Sequence, residues 1–222
     1  MEPDRPRPLP GLVLVLCGPS GAGKSTLVSR LKVALPEVRF SVSYTTRPMR
    51  AGEREGDDYH FVSLPEFERR ATEGEFLEHA FVHGNRYGTH RAQVHGLAQS
   101  GALVVLDIDV QGAAQVRAAG GDIPFVFVLP PSLDALQARL KGRGTDSDAV
   151  IAGRLAVARS EMEQAHLFDY AVVNDALDVA FADLLAIVRA ERLRRDKQLA
   201  CAAALGSPPG PGRPEPPSTD RF

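Results

Sequence analysis

Apolar residues fall into two rhythms along this chain. Short, nearly continuous runs recur at Gly11-Leu-Val-Leu-Val-Leu-Cys17, Leu103-Val-Val-Leu-Asp107, Phe125-Val-Phe-Val-Leu129 and Tyr170-Ala-Val-Val173. Runs of this length, rich in Val and Leu, suit strands buried on both faces. Between them the apolar positions spread to helical spacing. Leu27, Val28, Leu31 and Leu35 follow the first run, and Pro36 stops them. Further helices are predicted at 65–73, 90–100, 111–118, 132–141, 147–165 and 177–200. Val-rich strands alternating with helices predict an α/β fold, a parallel sheet core flanked by helices.

The rhythm breaks over residues 40–89. Strand-like pieces, Tyr59-His-Phe-Val-Ser63 and Phe76 to Val82, sit there among many turn residues, which predicts a small β-rich insert. Residues 137–160 carry Arg139, Lys141, Arg143, Arg154 and Arg159 on helical, glycine-punctuated sequence, as a mobile lid would. The ends differ again. Residues 1–10 are rich in Pro and Arg, and 206–222 read GSPPGPGRPEPPSTDRF. Such segments bury too little apolar surface to fold, so tails at 1–10 and 201–222 are expected to be disordered. The core is then assembled from 11–39, 90–136 and 161–200.

Composition narrows the classes. A 44% apolar fraction over 222 residues supports a sizeable core, and a net charge of −2 argues against a general nucleic-acid binder. Cys17 and Cys201 have no ligand-like spacing. No long apolar run predicts a membrane span or a signal peptide. These points set a reduced, cytoplasmic protein as the expectation and leave the oligomeric state open.

The strongest local signal is GPSGAGKS, residues Gly18 to Ser25, which fits G-x-x-x-x-G-K-[ST]. It lies between the first strand and the first helix, the context a phosphate-binding loop requires. Gly18, Gly21 and Gly23 let the backbone curl around an anion, Ser20, Ala22 and Thr26 are expected to add N–H groups to the cradle, and Pro19, which has no N–H, belongs to the same ATP-binding loop. Lys24 would place its charge on the β- and γ-phosphates of ATP, and Ser25 would offer a hydroxyl to Mg²⁺. A glycine-rich turn with a chance lysine is the rival reading, and the flanks argue against it. The guanine-reading Asn-Lys-x-Asp run of GTPases is absent. The insert instead packs Ser43-Tyr-Thr-Thr-Arg47-Pro-Met-Arg50-Ala-Gly-Glu53, then Tyr59, Glu78 and Tyr87. Arginines interleaved with tyrosines suit a second phosphate.

With these motifs the sequence resembles the guanylate kinase family over about residues 11–197. The resemblance rests on GPSGAGKS, SVSYTTRPMRAGEREGDDYHFV, FLEHAFVHGNRYGT, LDIDVQGA, LKGRGTD and VVND, in the family's order. It implies a P-loop nucleoside-monophosphate kinase fold with a GMP-binding insert and a helical lid, and ATP and GMP as substrates with Mg²⁺. It implies that Arg47, Arg50, Tyr59 and Tyr87 hold the GMP phosphate, braced by Glu53. Ser43, Glu78 and Thr89 match the guanine readers. Asp107 and Asp109 match acidic residues near the metal and the GMP. Arg139, Arg143 and Arg154 match lid arginines, and Asn174 lies where the family approaches adenine. Arg86 and Met49 depart from the pattern without touching a residue given a role. Two rivals remain to be weighed. A protein-binding relative would have lost the P-loop, whereas Gly23, Lys24 and Ser25 are all present. A different P-loop kinase would have no need of a carboxylate facing the two donors on the guanine edge.

Overall fold

Alternation along the first strand decides the layering. Leu12, Leu14 and Leu16 point to one face and Val13 and Val15 to the other, so a strand with apolar residues at every position must be covered twice. The computed structural model describes residues 10–82, 84–142 and 147–204. In chain order its first part holds β1 (Leu12–Cys17), α1 (Lys24–Ala34), β2 (Val38–Phe40), β3 (Tyr44–Thr45), β4 (His60–Phe61) and α2 (Leu64–Thr72). Then come β5 (Phe76–Val82), β6 (Asn85–His90), α3 (Arg91–Gln99), β7 (Leu103–Asp107), α4 (Val110–Ala118) and β8 (Phe125–Leu129). The last part holds α5 (Leu133–Lys141), α6 (Asp148–Glu163), β9 (Tyr170–Val173), α7 (Leu177–Arg192) and α8 (Arg195–Ala204).

Five strands form a parallel sheet in the order β2-β7-β1-β8-β9. Leu14 pairs with Val105 in register, Val15 with Phe125, and Phe127 with Ala171. One face packs Leu14, Leu16 and Leu103 against Leu27 and Leu31 of α1 and Leu184 and Val188 of α7. The other packs Val15, Val104 and Leu106 against Val94 of α3 and Val116 of α4. The chain leaves β1 toward β2 and β7 on one side and later returns to β8 on the other. The carboxyl ends of β1 and β7 therefore border the crevice where open α/β sheets take ligands.

A second, four-stranded sheet has the order β4-β3-β6-β5. Its β5 and β6 are antiparallel, and a bulge between Phe76 and Glu78 sets Glu78 opposite Thr89. Phe67 of α2 stacks on Phe76 at 4.6 Å between centroids. A Cβ at Gly88 would sit 3.0 Å from the Phe76 ring and 3.1 Å from Phe67, so this stack needs the glycine. Helices α5 and α6 share a small core of Leu136, Leu140, Ile151 and Ala158.

Several elements differ from the sequence expectation. Strands β2, β3 and β6 were not anticipated. Asn85 to His90 carries no apolar alternation, and pairing with β3 and β5 makes it a strand. The piece expected at 59–63 shortens to His60–Phe61. The helix expected at 177–200 breaks after Arg192, and the chain resumes as α8 through Ala204, into the stretch read as tail. Buried charges explain the break. Arg192 bonds Glu37 at 2.5 Å, while Glu191 takes the Tyr170 hydroxyl at 2.6 Å and Lys197 at 3.4 Å. Lys197 reaches back to Glu191 only if the helix turns. The expected tails at 1–9 and 205–222 lie outside the described residues.

Leu184 is fully buried between α7 and the sheet. Leu184→Ala should cost about 2–5 kcal/mol, the usual range for truncating a core leucine. Denaturant titration measures it as a lowered midpoint at unchanged slope.

Candidate active site

Helix α1 starts in an unusual way. Its N-cap is Gly23, with φ 97° and no side chain to cap the first turn, and no acidic residue follows. Helices α2 to α6 each have a side-chain cap, from Ser63, His90, Asp109, Ser132 and Ser147. The first-turn N–H groups of α1 are thus left to an external acceptor, and the helix dipole adds to their pull on an anion. The loop before them is tightly confined. A Cβ at Gly18, φ 141°, would lie 2.3 Å from the Val128 carbonyl oxygen, and one at Gly23 would lie 2.1 Å from Asn174 Nδ2. Lys24 Nζ folds back to donate to the Gly18 carbonyl at 2.5 Å. Cys17, buried just before the loop, has its thiol pushed up to about 12 by desolvation and is chemically inert.

The loop opens into a cavity of about 1230 Å³. Gly18, Pro19, Ser20, Gly21, Gly23, Lys24, Ser25 and Thr26 form one wall. Asp107 and Asp109, at the end of β7, stand beside it. Ser43, Arg50, Tyr59, Glu78 and Tyr87 form the far end, and Arg154 reaches in from α6. A single small-molecule site spans roughly 300–1,000 Å³, so this cleft has room for two nucleotides.

Glu78 is the most constrained group in it. The carboxylate is 6% exposed, and its Oε1 accepts the Thr89 hydroxyl at 2.5 Å. Desolvation pushes its carboxyl up to about 7; the Thr89 bonds oppose this and the nearby Asp109 charge adds to it. Asp107 is exposed on the wall of the cleft, yet protein surrounds the cleft, and desolvation raises its carboxyl while Lys24 pulls it down. Asp109 caps α4, its Oδ1 accepting the Gly112 N–H at 2.8 Å.

Other expected residues lie behind the walls. Arg47 is buried and held in a two-point pair with Glu53, Nη2 to Oε1 at 2.7 Å and Nη1 to Oε2 at 3.0 Å. Glu53 also accepts the Arg50 N–H at 2.8 Å. The Arg47 guanidinium lies 5.3 Å from the centroid of Tyr59, a cation–π contact. The pair stiffens the loop that presents Arg50. Thr89 backs Glu78 and is itself buried. Asn174 is buried: its side-chain Nδ2 donates to the Ala22 carbonyl at 2.7 Å, and its main-chain carbonyl accepts Arg139 Nη2 at 2.8 Å. Asn174 is therefore a brace of the phosphate loop. Arg139 Nη1 is buried with no hydrogen-bond partner among the described residues. Arg143 lies outside the described residues.

An uncapped helix behind a Gly-Lys loop faces a buried carboxylate across one cavity. The family model described as guanylate kinase matches residues 11–191. The chain belongs to the guanylate kinase family. It is 54% identical over 195 residues to the guanylate kinase of Neisseria gonorrhoeae, covering 88% of this chain and 95% of that protein. To the guanylate kinase of Aromatoleum aromaticum it is 51% identical over 190 residues, covering 86% and 93%. The crystal structure of guanylate kinase from Anaplasma phagocytophilum superposes with a TM-score of 0.69 at 31% identity, covering 89% of this chain and 95% of that one.

Three residues given no role in the sequence reading come forward in the structure, one of them, Gly112, inside the LDIDVQGA motif. Glu161 lines the cavity from α6, half-buried, with its carboxyl raised by burial and lowered by Lys24. Its helical spacing from Arg154 and Val157 was a usable signal. Gly112 and Gln115 of α4 touch β5, and no local pattern marks such a tertiary contact.

The bracing role of Asn174 has a direct check. Asn174→Ala leaves the Ala22 carbonyl without its buried donor, which should lower stability by about 1–3 kcal/mol. Thermal denaturation without nucleotide reads the loss; an unchanged midpoint would leave Asn174 free for a ligand role.

Proposed function

We propose that this chain transfers the γ-phosphoryl group of ATP to GMP, giving ADP and GDP, and accepts dGMP in the same site. One observation carries the reading: a single cavity joins the uncapped start of α1, with Lys24, to the buried carboxylate Glu78. Guanine presents N1–H and N2–H on one edge, and an ionised carboxylate accepts both. Adenine would turn an N1 lone pair toward it. A buried site left unpaired in this way rejects the wrong base strongly. Ser43 and Thr89 complete the base-reading end, and Arg50, Tyr59 and Tyr87 would hold the GMP phosphate, with Arg47 and Glu53 setting the loop. Arg139, through its orphaned Nη1, is assigned to the ATP side, and Asn174 acts there only by shaping the loop.

No general base is needed. The attacking group is a phosphate oxygen, and a phosphate monoester is largely dianionic near neutral pH because its second pKa is about 6. Catalysis comes from alignment and from charge neutralisation by Lys24, Arg143 and Arg154. The residues present also fit Mg²⁺. Ser25 and Asp107 offer oxygen donors on one wall, and Asp107 and Glu161, both raised by burial, would be relieved by a cation. Among the described residues no three His, Cys, Asp or Glu side chains cluster to hold a metal alone. That suits an ion that shares its ligands with nucleotide phosphates. Ser25 and Asp107 would hold such an ion, which would supply positive charge against the phosphates when bound.

In the same proposal, residues 137–160 form a lid, 40–89 the GMP-binding part, and the remainder of 11–200 the core. The small core that α5 and α6 share supports grouping these helices together. No helix among the described residues is long and apolar enough to cross a membrane. A cytoplasmic setting, with nucleotides as the only partners, belongs to this proposal.

The test is an ADP-release assay with ATP, offering GMP, AMP, CMP and UMP in turn. GMP should be turned over far faster than the rest; equal use of AMP and GMP would sink the reading. Lys24→Ala should lower kcat on the order of 10²- to 10³-fold, the scale for removing one electrostatic transition-state donor. Its melting temperature should stay near that of the parent, and normal turnover would remove Lys24 from the mechanism.

The raised carboxyl of Glu78 gives a pH signature. Only the ionised form accepts both guanine donors, so affinity for GMP is full above about pH 7, the value to which the carboxyl is pushed. Below it, affinity should fall about tenfold per pH unit. The GMP phosphate titrates near 6 as well, so Glu78→Gln serves as the control and should keep only that lower step. Calorimetric GMP titrations from pH 5.5 to 8.5 compare the two proteins, and identical profiles would contradict the assignment.

A further inference from the structure

Gly112 lies in the first turn of α4, where ordinary helical backbone makes no demand for glycine. Alanine would be the better helix former there. Close approach supplies the reason for glycine. A Cβ on Gly112 would lie 2.6 Å from Glu78 Oε2 and 3.2 Å from its Cδ. The carboxylate rests directly on this turn of helix. We propose that Gly112 is a specificity-positioning residue, its missing side chain making the floor on which the guanine-reading carboxylate lies.

The surroundings turn this from a local fit into a fixed placement. Gln115, one turn further along α4, grips the backbone of the next residue on both sides: Oε1 accepts the His79 N–H at 3.0 Å, and Nε2 donates to the His79 carbonyl at 2.7 Å. Strand β5 is an edge strand, so these groups have no neighbouring strand. From the other side the Thr89 hydroxyl holds Oε1 at 2.5 Å. With the adjoining His79 backbone clamped to α4 and one carboxylate oxygen tied to Thr89, Glu78 cannot withdraw as a unit. A methyl group at position 112 must swing Oε2 away. The obstructed atom is the far end of a flexible side chain, so the fold can adjust, but the alignment of two oxygens with two donors cannot survive the swing.

This inference rests on the reading of Glu78 as the guanine acceptor, and the experiment separates the two. Gly112→Ala and Glu78→Gln are compared with the parent for kcat/KM with GMP and with IMP, which lacks the 2-amino donor. ATP affinity and melting temperature are measured on the same samples. Gly112→Ala should lose about 10- to 100-fold with GMP, the scale for weakening a base-edge contact. It should lose less with IMP, so that the GMP-to-IMP ratio narrows, while ATP affinity holds and the melting temperature is equal or higher. GMP kinetics within threefold of the parent, beside a crippled Glu78→Gln, would overturn the role of Gly112 and leave Glu78 standing. GMP kinetics within threefold for both variants would overturn the reading of Glu78 itself. A joint fall of GMP use, ATP affinity and melting temperature would mark Gly112 as merely structural and end the proposal.

Discussion

The first turn of α1 must keep its N–H groups unsatisfied by the protein, and much of the surrounding structure exists to make that tolerable. Orphan N–H groups at a helix start are ordinarily capped. Here Gly23 supplies no side chain. The loop is stiffened from outside instead: Val128 closes on Gly18, Asn174 on Ala22 and Gly23, and Arg139 on Asn174. These residues come from β8, α5 and the turn after β9, distant in sequence and adjacent only because β1 is central in the sheet. The loop is therefore preorganised by the sheet order. A site that must bind a polyanion without rearranging gains most from this, because nothing is left to reorganise when charge develops.

The other end of the cavity has the opposite problem. Glu78 is an acid pushed toward the neutral form by burial, whereas the guanine contact proposed for it needs the charge. A free surface carboxylate would be ionised and well hydrated, and would discriminate poorly, since water could replace either base. Burial removes that alternative and makes the wrong base costly. Thr89 compensates part of the cost through its hydroxyl hydrogen bond, leaving the carboxyl pushed up to about 7. The guanine donors would complete the compensation. Selectivity and a raised proton affinity are then two results of one desolvation.

The sequence made the core legible because buried parallel strands are encoded locally. The runs ending in Cys17, Asp107, Leu129 and Val173 appear in the structure to within a residue, as does Phe76 to Val82. The chemistry-bearing loop was legible for a similar reason: GPSGAGKS carries its own geometry in three glycines. The failures are contacts made by tertiary structure. Strand β6 has no apolar rhythm, and only pairing on both sides defines it. Arg192 looks like a surface residue of a helix until Glu37, far away in the chain, meets it. Asn174 was placed on the ATP side by family resemblance, and its bond to the Ala22 carbonyl is a contact that no local pattern marks. Gly112 reads as a weak point in a helix, because what it accommodates is Glu78, whose position depends on a bulge and an edge strand.

That dependence links the two ends of the cleft. Strand β7 carries Asp107 at its end and leads, through Asp109, into α4. Helix α4 clamps β5 through Gln115 and seats Glu78 on Gly112. Strand β7 also pairs residue by residue with β1, from Leu12 with Leu103 to Leu16 with Asp107, and β1 ends at the phosphate loop. The distance from loop to carboxylate is thus measured along one rigid path: β1, β7, α4, β5. In-line phosphoryl transfer requires the two phosphates to meet at a defined separation, while each nucleotide is anchored by its far end. A flexible insert could bind GMP well and still present its phosphate badly. Referencing the base reader to a helix of the core couples recognition to alignment, so an error in either appears in both.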